Sequence, residues 1–447
     1  MHSQFSRRDF LRRTVLTSAG LWAAAPYVTS DLRAASATEP LLHASFGTGG
    51  MALSDIDGLT RRGGAKLVAV ADVDLHRAEA LKKKFPDVKI YQDWRELLDK
   101  EKSIQSVNVT VPDHMHGPIA MAALQLGKNV YCQKPLTHDL YETRRLTEVA
   151  REKKLVTQMG IQIHSSGAYR QAVAMIQSGA IGKVKEVHAF SNKKWGDANP
   201  RPDRTDPVPA WFDWNLWLGV AADRPFIGEG YYHPSNWRKR LDFGTGTFGD
   251  MGCHIYDPVF KALALTSPLT VRSEGPAPDA FNWAINAIVH YVFPGTAFTA
   301  DKTVQVTWYD GDARPPQEIQ ALLGEEKLPG QGSVFLGTKG VMLVPHMSGG
   351  AQLFPEKDFE GYQRPKIEEQ DHWQQYVEAC LGRGKTSANF DYAGPLTEAI
   401  LLGTVACRFP KTTLEWDSKQ LQFPNVKEAD AFVRRRYRQG WEVKGLS

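Results

Sequence analysis

The stretch that decides the fold reads Leu42-His43-Ala44-Ser45-Phe46-Gly47-Thr48-Gly49-Gly50-Met51-Ala52, and Asp72 closes the next apolar run 25 residues after Gly47. A strand-like run thus feeds directly into Gly-x-Gly-x-x-Ala. Gly47 permits a tight turn, Gly49 lets the backbone approach a pyrophosphate, and Ala52 lets the following helix pack closely on the strand. That helix turns its unpaired first amides toward phosphate, with Thr48, Gly50 and Met51 completing the loop. A carboxylate at Asp72 accepts hydrogen bonds from ribose hydroxyls and repels a 2′-phosphate. The expected cofactor is NAD, with NADP left open by the nearby His76 and Arg77. Asp74 reads as the cap of a helix starting at Leu75.

Outward from this turn, residues 42–46, 67–71, 88–91, 106–111, 129–132 and 156–160 read as six strands, separated by segments with apolar residues at helical spacing. Such alternation builds a doubly wound parallel sheet with crossover helices. The fold class is α/β, with a Rossmann dinucleotide-binding domain over residues 38–163. Beyond it, 184–190, 287–293, 303–308, 333–336 and 341–344 are strand-like, and 169–177, 254–265, 373–381 and 396–407 read as helices. They form a second domain over 164–447. Loops at 195–209 and 311–332, rich in Pro and charge, are expected to cover a substrate or to mediate oligomer contacts.

Residues 1–37 have the order of a twin-arginine signal peptide: Arg7-Arg8 before Phe10-Leu11, an apolar run from Thr14 to Ala25, and Ala35-Ser36-Ala37 as a cleavage site. Periplasmic localisation is expected. The leader carries five Arg and two Asp, so its loss removes +3 of the chain's formal net charge of +4. The remainder is close to neutral and lacks the basic stripe that a nucleic-acid partner requires. It also lacks a run long and apolar enough to span a membrane. Cys132, Cys253, Cys380 and Cys407 sit in separate apolar segments, as small buried side chains rather than an essential disulfide framework.

Two later segments carry more information. Tyr131-Cys132-Gln133-Lys134-Pro135-Leu136 follows the fifth strand, and Phe243-Gly244-Thr245-Gly246-Thr247-Phe248-Gly249-Asp250-Met251-Gly252-Cys253-His254-Ile255-Tyr256-Asp257 lies in the second domain. With the glycine turn, Val111-Pro112-Asp113-His114-Met115-His116, Trp214-Asn215-Leu216-Trp217-Leu218-Gly219 and Asn236-Trp237-Arg238, they resemble the glucose-fructose oxidoreductase and inositol dehydrogenase family, Gfo/Idh/MocA. Thr413 to Asp417 and Tyr437 to Trp441 resemble its exported bacterial branch.

The resemblance implies a C-terminal α/β domain built on a large, mostly antiparallel open-faced sheet, a carbohydrate substrate, and a homo-oligomer, dimer or tetramer. It implies hydride transfer between a sugar or polyol hydroxyl and tightly bound NAD. The alternative is a glycoside hydrolase or lyase acting through transient oxidation. Lys134 matches the family's hydroxyl-binding lysine, His254 its acid/base and Asp250 the assisting aspartate. At i and i+4, Asp250 and His254 share one helix face, and a carboxylate there orients the imidazole.

Val111, Pro112, His116, Gln133 and Lys134 join the cofactor contacts, and Gln162, His233 and Trp237 join the substrate contacts. Trp195 and Tyr231 offer further flat faces, with Lys193 and Asn236 as hydrogen-bonding groups. Arg238 reads as a stacking or pairing residue. Gln133 departs from the glutamate usual in the family. No metal is expected, although His114, His116, His164, His233 and His254 are imidazoles available in principle.

Overall fold

The computed structural model describes residues 39–347 and 349–447, so the leader at 1–37 lies outside the described residues. The first domain alternates β1 (Leu41–Phe46), α1 (Met51–Thr60), β2 (Ala65–Ala71), α2 (Leu75–Leu81), β3 (Lys89–Tyr91), α3 (Trp94–Lys100), β4 (Ser106–Val109), α4 (His116–Gln125), β5 (Asn129–Cys132), α5 (Leu140–Glu152) and β6 (Thr157–Met159). The strands run parallel in the order β3-β2-β1-β4-β5-β6. Chain direction across the sheet therefore reverses between β1 and β4, and ligands of such sheets bind outside the carboxyl ends at that point. All six expected strands are present. The fourth stops at Val109 rather than 111, so Val111 and Pro112 lie in the loop above the sheet edge.

The second domain contains α6 (Gly167–Gln177), β7 (Val184–Ser191), α7 (Trp214–Leu218), α8 (Gly246–Ala262), β8 (Thr270–Ser273), β9 (Ile288–Pro294), β10 (Thr303–Asp310), α9 (Gln317–Ala321), β11 (Gln331–Gly337), β12 (Val341–Pro345), β13 (Gln352–Phe354), α10 (His372–Cys380), α11 (Phe390–Ala406) and β14 (Thr413–Glu415). Its eight strands are ordered β13-β12-β11-β7-β10-β9-β8-β14. Every described pairing is antiparallel except β7 with β10. Short β8, β13 and β14 carry too few residues for a readable alternation in sequence. Among the described residues, no helix is long and apolar enough to cross a membrane.

The most consequential departure from the sequence reading is α8, which begins at Gly246 rather than 254. Glycines 246, 249 and 252 favour a loop locally, but packing overrides that preference. Phe248 stacks on Trp308 with ring centroids 4.7 Å apart and meets Tyr256 and Tyr291 edge-on. A Cβ at Gly403 on α11 would lie 2.2 Å from the Phe248 ring, so glycine is what lets the two helices approach. Asp250 and His254 consequently sit inside a rigid helix. The division at 163/164 is also crossed by the chain: α10 returns to the first domain, where Tyr376 and Val377 join Leu41, Leu59, Ala65 and Tyr131 in one apolar cluster.

Phe248→Ala is expected to cost about 3–5 kcal/mol. Urea denaturation should show a lower midpoint; a loss below about 1 kcal/mol would mean that α8 is not held by this ring.

Candidate active site

Gly47 follows β1 with φ 95°, and a Cβ there would fall 2.2 Å from the Thr110 carbonyl oxygen. Only glycine makes this turn. Gly50 caps α1 without a side-chain hydrogen bond; the Ala52 and Leu53 N–H groups close onto the Gly49 and Gly50 carbonyls, at 3.1 and 3.2 Å, and the Met51 amide at the helix start makes no hydrogen bond among the described residues and is available to an anion. Asp72 closes the loop from the opposite side: its Oδ2 accepts from the Thr48 N–H and hydroxyl, both at 2.8 Å, and its Oδ1 accepts from the Asp74 N–H at 2.9 Å. Burial raises the Asp72 pKa against these donors. Thr48 is turned inward onto Asp72 and fixes the acid rather than facing the cleft. Asp74 caps α2 as expected, accepting from the Arg77 N–H.

A cleft of about 470 Å³ extends from this turn over the sheet's carboxyl edge to α8. Gly47, Gly49, Gly50, Met51, Asp72, Val111, Pro112, His116, Gln133, Lys134, Gln162, His233, Trp237 and His254 all line it. The glycine turn, the free amide at the start of α1 and the acid at the end of β2 fit a dinucleotide, and the cleft they open runs on to Lys134.

Lys134, just beyond β5, reaches across the domain boundary. Its Nζ donates to Asp250 Oδ1 at 2.8 Å and to the Asp250 carbonyl at 3.0 Å. Arg238 Nε donates to the same Oδ1 at 3.1 Å. Burial alone would raise the Asp250 pKa, but the two cations hold it well below the usual carboxylate range. Asp250 makes no hydrogen bond to His254 among the described residues, so the expected orienting contact is replaced by an ion pair with Lys134. The reason is distance along the helix face: Asp250 turns toward β5 and the Arg238 loop, one turn before His254.

Burial first, then the Lys134 ammonium and His346, lowers the His254 pKa well below the ordinary imidazole value. The ring is therefore neutral at pH 7 and able to accept a proton, and its buried Nδ1 has no hydrogen-bond partner among the described residues.

Other predicted residues are placed differently. His116 is wedged between two carbonyls, with Nδ1 2.7 Å from Pro135 O and Nε2 2.8 Å from Val111 O, while burial pushes its pKa down to about 4. A neutral ring donates to one of them at a time, so His116 ties the β4 and β5 loops together. His233 pairs with Asp74 at 3.0 Å, near Asp72 and away from the Lys134 cluster. Tyr231 lies under Arg240, and Asn236 donates to Gly230 O. His114 packs against Trp217 and Phe243, and His164 pairs with Asp257 at 2.8 Å. Among the described residues, no three His, Cys, Asp or Glu side chains form a group able to hold a metal.

The Gln133 amide oxygen accepts from the Lys134 backbone N–H at 3.3 Å, and its Nε2 donates to both oxygens of Asp55, at 3.2 and 3.0 Å. Asp55 also accepts from Trp373 Nε1 at 2.9 Å and Thr110 Oγ1 at 2.8 Å, and burial raises its pKa to about 6 against these bonds. Asp55 was not legible as part of the site because its partners come from β5, α10 and the β4 loop. Asp113 was also missed; it accepts from the Thr245 N–H and hydroxyl behind the cluster, and burial raises it to about 6.

Residues 43–161 match the family model for the NAD-binding Rossmann fold of Gfo/Idh/MocA oxidoreductases, and residues 174–295 match that for the family's C-terminal alpha/beta domain. Levoglucosan dehydrogenase of Pseudarthrobacter phenanthrenivorans is 25% identical over 43% of this chain and 40% of its own. The scyllo-inositol 2-dehydrogenase (NAD(+)) of Bacillus subtilis is 33% identical over 29% of this chain and 37% of its own. The similarity thus spans about two fifths of those relatives. An inositol dehydrogenase homolog from Azotobacter vinelandii, solved with NADH and myo-inositol, has the same fold: TM-score 0.55 and 16% identity, covering 85% of this chain and 98% of that one.

The raised pKa of Asp55 gives a stability prediction. Unfolded, this acid loses its proton near pH 4; folded, near pH 6. The folded state holds the extra proton between these values, so the Asp55 contribution to stability falls as pH rises through that window. Asp55→Asn removes the ionisation, and its melting temperature relative to wild type should be higher at pH 7.5 than at pH 4.5. An unchanged difference would contradict the raised pKa.

Proposed function

This chain belongs to the Gfo/Idh/MocA oxidoreductase family, and from that premise we propose that it is an exported NAD-dependent dehydrogenase acting on a secondary hydroxyl of a sugar or polyol. The observation that carries the reading is the convergence of Lys134 and Asp250 at the nicotinamide end of a cleft also lined by the neutral His254. When bound, NAD supplies the hydride acceptor.

The residues divide the remaining work. The Lys134 ammonium is held by two hydrogen bonds to Asp250, and its one remaining N–H is free to donate to the substrate hydroxyl oxygen, favouring the alkoxide character that develops as the carbon–hydrogen bond breaks. His254 takes the hydroxyl proton, and the imidazolium so formed is favoured by the Asp250 charge one helical turn away. Asp250 keeps the ammonium placed across the domain boundary. Sheet edge and helix are both rigid, so the groups are pre-positioned rather than assembled. The dehydrogenase names of the matched relatives support oxidation over the hydrolase or lyase alternative.

The leader Ser6-Arg7-Arg8-Asp9-Phe10-Leu11 supports export to the periplasm, a route taken after folding and so compatible with a cofactor already bound. We include tight retention of NAD in the proposal, with a carbonyl-bearing second substrate taking the hydride back. A homo-oligomer, dimer or tetramer, belongs to it on the family resemblance alone.

The protein purified from the periplasm should carry NAD and reduce it on addition of a sugar, with no NAD supplied. Strict dependence on added NAD would overturn retention. His254→Ala should lower the rate of that reduction about 10²- to 10⁴-fold with cofactor content unchanged; a wild-type rate would remove His254 as the base.

A further inference from the structure

Arg238 does more than stack and pair. Its guanidinium carbon lies 4.2 Å from the Trp237 ring centroid and 5.4 Å from that of Trp195, so two indoles fix its plane. The loop that carries it is pinned as well: the Trp237 N–H donates to Tyr232 O at 2.7 Å, and its indole N–H donates to Pro234 O at 3.1 Å. Only Nε is used within the protein, on Asp250 Oδ1. The two terminal nitrogens make no hydrogen bond among the described residues, and Arg238 lines the cleft with its side chain 26% exposed. A flat guanidinium held against indole rings with its edge open is the geometry that receives a carboxylate through two parallel hydrogen bonds.

Lys134 and Arg238 both line the cleft and share a single oxygen of Asp250, and the Asp113 carboxylate acts on both cations as well. Asp113 stands behind the cluster, its Oδ2 taken by Thr245. Lys193 is exposed near the His346 imidazole and adds positive charge. A neutral sugar would leave the terminal guanidinium N–H groups facing a cleft partly cleared of water, with no acceptor of matching charge.

We propose that the edge of Arg238 is a carboxylate subsite, and that the substrate of this dehydrogenase is a sugar acid of the hexuronate or aldonate class, held by Arg238 at its carboxylate and by Lys134 at the hydroxyl to be oxidised. This rests on the dehydrogenase reading and narrows its substrate. The carboxylate takes no part in the chemistry: its two oxygens accept from the terminal nitrogens, while Nε stays on Asp250.

Matched pairs that differ only in the acid test it: glucuronate with glucose, galacturonate with galactose, and gluconate with glucitol. On the purified holoprotein, calorimetry should find the acid of at least one pair bound about 10- to 100-fold more tightly than its neutral partner. The rate of bound-NAD reduction should show the same preference. Arg238→Gln should collapse that preference toward unity, and Arg238→Lys, which keeps charge but not the fork, should fall between. Cofactor content and melting temperature show whether each variant is folded, and the wild-type pairs decide the question even if one is not.

Neutral sugars binding and reacting as well as their acids would overturn the subsite while leaving the dehydrogenase reading intact. So would an acid preference that survives Arg238→Gln in folded protein. Binding of acids without reduction of bound NAD by any sugar would instead overturn the dehydrogenase reading and support the subsite.

Discussion

The Lys134 ammonium and Asp250 carboxylate, 2.8 Å apart, join the carboxyl edge of the six-stranded sheet to a helix packed on the eight-stranded one. Both side chains are only 13% exposed, so each has surrendered most of its water. An ion pair in that position is a poor source of net stability, since desolvation offsets much of the attraction, yet breaking it by removing one partner costs about 3–5 kcal/mol. Such a pair is better explained by what it fixes. Here it fixes a cation at the cleft wall, and Arg238 on the same oxygen prevents the carboxylate from turning away.

The surrounding structure follows from the need to hold that geometry. On one side, the glycine turn is closed by Thr48 and Asp72 and the β4 and β5 loops are tied through His116. On the other, Phe248 seats α8 between Trp308, Tyr291 and Tyr256. Gln133 completes the arrangement from behind. Where the family usually has glutamate, this chain places an amide that donates to Asp55, so a buried carboxylate remains near the sheet edge but belongs to α1. His254 keeps its neutral form because burial and the Lys134 charge outweigh the pull of Asp250.

The first domain was legible almost entirely, because short strand-like runs alternate with segments of helical periodicity and the glycine turn specifies its own conformation. Lys134, Asp250 and His254 entered as candidates through the family resemblance of the segments that carry them, while the hydrogen bond between Lys134 and Asp250 was not part of that reading. The start of α8 was not, since glycines 246, 249 and 252 are poor helix formers whose value lies in contacts with distant residues. Asp55, Asp113 and the open edge of Arg238 were hidden for a related reason: each acquires its role from partners far away in sequence. The pairing of His233 with Asp74 and the inward turn of Thr48 likewise depend on tertiary contacts that local pattern does not encode.

On the proposed function, the hydroxyl is oxidised beside the Lys134 ammonium held by Asp250. The most direct measurement is a single turnover of cofactor-loaded protein, followed at the NADH absorbance band, with substrate protiated or deuterated at the oxidised carbon, in wild type and Lys134→Met. The account predicts an isotope-sensitive reduction in wild type and a rate lowered at least about 10²-fold in a variant that retains its NAD. A Lys134→Met protein that reduces its bound cofactor at the wild-type rate would contradict it.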